Sequence, residues 1–132
     1  MSDQPVRNGI LRALPKEDLA VLLPACTPGR LKPGVSIEPR MQTVETVYFP
    51  TSGVASVVAK ASGGKELETG PVGWEGMTGL PVVYGVGSSP TETIVQIEGD
   101  AIVAPAEAVR DLAERSPAAK KVFDSYAYAF SL

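Results

Sequence analysis

The chain has 132 residues with 12 Lys and Arg against 15 Asp and Glu, a formal charge of -3, and 44% hydrophobic and 20% charged side chains. That balance suits one domain with a packed core; it excludes a disordered chain and offers no basic footprint for nucleic acid. With no histidine and one cysteine, Ser-His-Asp and Cys-His catalysis, an internal disulfide and a histidine-rich metal site are excluded too.

Residues 1–5 lack the charged-then-apolar pattern of an export signal, and no apolar run reaches spanning length. A soluble cytoplasmic protein without membrane contact is expected. Residues 8–23 read as a helical lead-in. Ile10, Leu11 and Leu14 share a face, Pro15 suits a first helical position, and Glu17 and Asp18 suit a helix N-terminus. Leu19, Val21, Leu22 and Leu23 continue the pattern until Pro24 stops it. Cys26 reads as a small, semi-buried apolar residue near a helix end.

From residue 30 to residue 104 the pattern is β. Short runs rich in Val, Ile, Thr and Tyr alternate with Gly, Pro and Ser. Pro33-Gly34 breaks the run 31–37, and Pro50 ends the run 44–49. Ser62-Gly63-Gly64-Lys65 predicts a hairpin between 53–59 and 66–69, and Glu98-Gly99-Asp100 predicts another between 91–97 and 101–104. Between them lies Val72-Gly73-Trp74-Glu75-Gly76-Met77-Thr78-Gly79-Leu80-Pro81, strand-like in composition but with glycines at every third position. The backbone must turn there, or something must approach it closely.

Residues 105–132 return to helix. Ala108, Val109 and Leu112 line one side of 105–114. Ser116 is a cap, followed by Pro117 at a first helical position. Ala119, Val122, Phe123, Tyr126 and Phe130 then recur at helical spacing, and no Gly, Asn or Pro terminates the helix before Leu132. The order is helix, about seven short strands, helix, longer helix, which fits a sandwich or jelly roll and not a parallel sheet.

In this order, Leu31-Lys32-Pro33-Gly34, Val47-Tyr48-Phe49-Pro50-Thr51-Ser52-Gly53, the glycine segment 72–81, Val95-Gln96-Ile97-Glu98-Gly99-Asp100-Ala101 and Arg115-Ser116-Pro117 resemble the N-terminal sensor domain of Crp/Fnr-type transcription regulators. The resemblance covers nearly the whole chain. It implies a mainly β fold with flanking helices: a cyclic-nucleotide-binding-type β-roll, also called a double-stranded β-helix or jelly roll. N-terminal helices, a pocket inside the roll and a C-terminal dimerisation helix complete it. The helix-turn-helix domain that normally follows is absent from residues 1–132.

In nucleotide-binding relatives a Gly-Glu pair on a short helical turn and a later arginine hold the phosphate and ribose. Gly79 matches the glycine, Leu80 falls on the glutamate, and the arginine position falls near Pro90 and Thr91. A shifted register offers Glu75 and Gly76 in reversed order. Residues 66–109 contain no Lys or Arg but do contain Glu66, Glu68, Glu75, Glu92, Glu98, Asp100 and Glu107. A phosphate would meet negative field there, unless Arg40 or Lys60 reached in from outside.

Cyclic nucleotide is therefore disfavoured, no other cofactor is implied, and the ligand candidates are Glu75, Gly76, Gly79, Leu80, Thr91 and Thr93. Trp74 fits either a ring-stacking role or packing over the barrel edge. The functional expectation is a non-enzymatic regulatory sensor domain, degenerate at the nucleotide site. It is expected to form a homodimer through Ala119, Val122, Phe123, Tyr126 and Phe130, with no direct nucleic-acid contact. A free-standing interaction module of the same fold is the alternative. A cupin-like metalloenzyme is opposed by the missing histidines.

Overall fold

The structure, a computed structural model, describes residues 7–131. The expectations for residues 1–5 and for Leu132 lie outside these.

The N-terminal helical region divides in two. Helix α1 spans Gly9–Ala13 and α2 spans Lys16–Leu22. Leu14 between them is extended (φ -69°, ψ 142°), as the residue before a proline prefers. Glu17 and Asp18 occupy the first turn of α2, and a 3-10 turn over Leu23–Ala25 ends the region. Cys26 donates its thiol to the Leu22 carbonyl at 3.3 Å, and burial pushes that thiol up to about 11.

Seven strands follow among the described residues: β1 Thr27–Leu31, β2 Ser36–Glu38, β3 Thr46–Pro50, β4 Val54–Lys60, β5 Glu66–Val72, β6 Glu92–Ile97 and β7 Gly99–Pro105. They form two antiparallel sheets, ordered β1-β7-β3 and β2-β6-β4-β5. The roll thus begins at Thr27, three residues before the expected start at 30. Pro28 and Gly29 disguise β1, and they are tolerated because β1 is an edge strand pairing only with β7.

The first predicted hairpin forms: Lys60 faces Glu66 across the Ser62–Gly64 turn. The second does not. Strands β6 and β7 belong to different sheets, so residues 98–100 make a corner at which the chain changes sheet. Gly99 permits it, because a Cβ there would overlap the Ser52 backbone. The glycine segment also departs from its strand-like composition. After β5 it turns and then forms a short helix, α3, over Leu80–Tyr84.

The C-terminal helices are α4, Ala106–Arg115, and α5, Pro117–Phe130. Ser116 caps α5 by accepting from the Ala119 amide at 3.1 Å, and its hydroxyl donates to Asp18 at 2.8 Å, tying α5 to α2. The main core lies between the helices and the three-stranded sheet. Leu11, Leu22, Val47, Phe49, Val109 and Phe123 are at its centre. A smaller cluster of Leu31, Val95 and Ala101 fills the space between the sheets.

One buried polar side chain joins these parts. Asn8 is fully buried; its Oδ1 caps α1 by accepting from Ile10 (2.9 Å) and Leu11 (3.1 Å). Its Nδ2 donates to the carbonyls of Pro50 (2.7 Å) and Gly76 (2.9 Å). Asn8→Ala leaves all four groups without this partner, and urea denaturation is expected to show a loss of about 2–4 kcal/mol. Asn8→Asp keeps the cap but turns a carboxylate oxygen toward two carbonyls, so it should also destabilise at neutral pH. A stable Asp variant would show that the cap alone matters.

Candidate functional site

The turn from β5 into α3 is held by backbone bonds and one threonine. Gly9 donates to the Trp74 carbonyl at 2.7 Å, and Gly76 donates to Gly73 at 3.0 Å. Thr78 clamps β3 from both sides. Its amide donates to the Tyr48 carbonyl at 3.0 Å, and its Oγ1 accepts from the Tyr48 amide at 2.9 Å. Gly79 then caps α3 in the left-handed region (φ 80°), where a Cβ would also stand 2.7 Å from Val47.

Between this turn and the four-stranded sheet lies a cavity of about 560 Å³. Val57, Val72, Met77 and Val86 give it apolar walls. Gly79 and Leu80 border it on the α3 side, and Thr91 and Thr93 on the β6 side. Phe130 and Ser131, at the end of α5, also line it. Four of the six ligand candidates named from sequence therefore meet around one space.

The other two do not line it. Glu75 is exposed and folds back to accept from the Gly73 amide at 3.3 Å. Gly76 is buried against α5, where a Cβ would overlap the Tyr126 hydroxyl. Burial pushes that phenol up to about 12. Trp74 is half exposed and also lies outside the cavity, with the Arg12 guanidinium 5.8 Å from its ring centre.

The group that decides the electrostatics is one that sequence reasoning passed over. Glu38 is 6% exposed and lines the cavity; its Oε1 accepts from the Gly79 amide at 2.6 Å. Burial raises its pKa, and the Gly79 bond only partly opposes this. In a regular strand Ser36-Ile37-Glu38, alternation would turn Ile37 inward and leave Glu38 outside. A bulge between Ser36 and Glu38 sets Glu38 opposite Thr93 instead. Among the described residues no Lys or Arg lines the cavity. Arg40 does reach the Pro90 region, but it donates to the Pro90 carbonyl at 2.9 Å and the Val58 carbonyl at 3.4 Å and lies 3.8 Å from Glu92.

The apolar stripe of α5 faces the chain's own interior. Ala119 and Phe123 are buried in the core, Val122 and Tyr126 pack against it, and Phe130 lines the cavity. Ala118, Ser125 and Ala129 on α5 are exposed, and Val122 between them is only partly covered by the core. Among the described residues there is no cluster of three potential metal ligands, and no helix long and apolar enough to cross a membrane.

No protein-family model and no curated protein sequence matches the chain. Solved structures do match in fold. The N-terminal domain of a transcriptional regulator from Streptomyces coelicolor superposes with a TM-score of 0.68 at 17% identity, covering 95% of this chain and 87% of that one. The catabolite activator protein of Thermus thermophilus gives 0.74 at 15% identity, over 92% of this chain and 57% of that one. The regulatory subunit of a cAMP-independent protein kinase A from Trypanosoma brucei gives 0.69 at 15% identity, over 92% and 48%; the matched structure is a triple variant, one change introducing arginine, bound to cAMP in its A site. The chain spans little more than half of the longer bacterial structures it matches. Its two antiparallel sheets and flanking helices have the cyclic-nucleotide-binding β-roll fold.

Proposed function

We propose that the chain is a regulatory sensor domain of the Crp/Fnr type whose cavity is not equipped for a cyclic nucleotide. The observation that carries this reading is the bond from the Gly79 amide to Glu38. The amide at the turn where relatives cradle a phosphate already serves an internal carboxylate, and no cation among the described residues lines the cavity. A buried phosphate would face Glu38 without a charge-assisted donor, at a cost of several kcal/mol. The Trypanosoma structure, which holds cAMP in a variant with an introduced arginine, is consistent with the weight given to that missing cation.

Signalling would pass through α5, because Phe130 and Ser131 form part of the cavity wall. A ligand that prefers one position of this last turn shifts the helix population. The domain acts by binding, without catalysis and without direct contact to nucleic acid. The exposed Ala118, Ser125 and Ala129 and the half-buried Val122 alternate at spacings of four and three, the seam of a paired helix. The homodimer would use this seam, since Ala119 and Phe123 are enclosed by the core. The same seam also fits the alternative, an interaction module that docks on relatives.

Calorimetric titration with cyclic AMP or cyclic GMP is expected to show no micromolar binding; an affinity of micromolar or better overturns the reading. Combining Glu38→Gln with Thr91→Arg should raise the affinity about tenfold or more, the worth of one charge-assisted hydrogen bond.

The folded-state pKa of Glu38 lies above the ordinary glutamate value of 4.5. Its contribution to stability is therefore fully present below that value and is lost as pH rises through the raised one. Urea denaturation across this range should show the decline in the wild type and a flatter profile in Glu38→Gln. Equal slopes would show that Glu38 does not titrate in this way.

Sedimentation is expected to show a dimer, converted to monomer by Ala118→Glu with Ser125→Glu at unchanged thermal midpoint. A wild-type monomer at high concentration would remove the dimer from the proposal.

A further inference from the structure

We infer that the cavity receives a compact monoamine: one cationic amino group on an apolar body, with the cation seated on Glu38. This rests on the reading of the cavity as a ligand site and specifies the chemistry of that ligand.

The volume, about 560 Å³, lies in the range of small-molecule sites. Val57, Val72, Met77 and Leu80 present hydrocarbon over most of the wall, which suits an aromatic or branched aliphatic body. Against this stands one buried carboxylate. Glu38 has a hydrogen bond to Gly79 and no ion pair among the described residues. An ionised carboxylate offers about four acceptor sites, so one amide leaves most of its capacity unused. Thr93, its cross-strand partner, and Thr91 add hydroxyl groups to the same wall and bring no charge.

An anionic ligand would meet like charge. A neutral alcohol would fill a lone pair but leave the charge uncompensated. An ammonium group does both, through a charge-assisted bond in a poorly solvated site. An amino acid is disfavoured, because its own carboxylate would find no cation among the described residues of the wall.

The test uses three probes of similar body: 2-phenylethylamine, 2-phenylethanol and phenylacetate, each titrated at neutral pH into the wild-type chain by thermal shift and calorimetry. The amine should bind at least about tenfold more tightly than the alcohol, as one charge-assisted bond provides, and phenylacetate should not bind. Glu38→Gln keeps an acceptor for the Gly79 amide and should erase the amine preference. The comparison among probes on the wild type holds even if that variant folds poorly. Equal binding of amine and alcohol, or a preference for phenylacetate, overturns the amine assignment and leaves the ligand-site reading standing. Binding of none of the three at millimolar concentration overturns both.

Discussion

The arrangement depends on Asn8. One amide side chain, wholly enclosed, satisfies the open end of α1, the last carbonyl of β3 and the carbonyl of Gly76. These three segments are far apart in the chain and would otherwise present unpaired polar backbone inside the core. Fixing Gly76 fixes the turn that leads to Gly79, and Thr78 repeats the attachment to β3 two residues later. The cavity wall is thus positioned by hydrogen bonds that the protein makes to its own backbone.

That internal support explains why the glycine segment misleads when read alone. Gly76 is required by the approach of Tyr126, and Gly79 by its positive φ and by Val47. Neither requirement involves a bound molecule. A turn of this shape can persist with any electrostatic character in the space beside it, so chemistry must be read from the wall. There Glu38 and the absence of Lys and Arg among the described lining residues carry the information.

Local signals in the sequence translate well where one element decides its own structure. Ser116-Pro117 marks the start of α5 and Ser62-Gly63-Gly64-Lys65 marks the β4–β5 turn, whereas Pro15, read as a first helical position, stands one residue earlier as the N-cap of α2. They translate poorly where two distant segments decide together. Glu98-Gly99-Asp100 has hairpin composition but serves a change of sheet, because β7 pairs with β1 and β3. The site shows the same division. The family resemblance led to Gly79, Leu80 and Thr91, and strand composition to Thr93, whereas Glu38 enters through a bulge that alternation cannot foresee. The role of Asn8 was not read from the sequence at all, because its donors to Pro50 and Gly76 depend on tertiary contact.

The placement of Pro and charge on the outer strands has a consequence for how the molecule meets copies of itself. Each sheet ends in strands poorly suited to recruit another. Strand β1 contains Pro28, β2 is three residues long, β3 ends on Pro50, and β5 carries Glu66, Glu68 and Pro71 along a largely exposed length. Missing amide donors, brevity and like charge all oppose edge-to-edge addition. Fibril-like growth through the backbone is discouraged at all four margins.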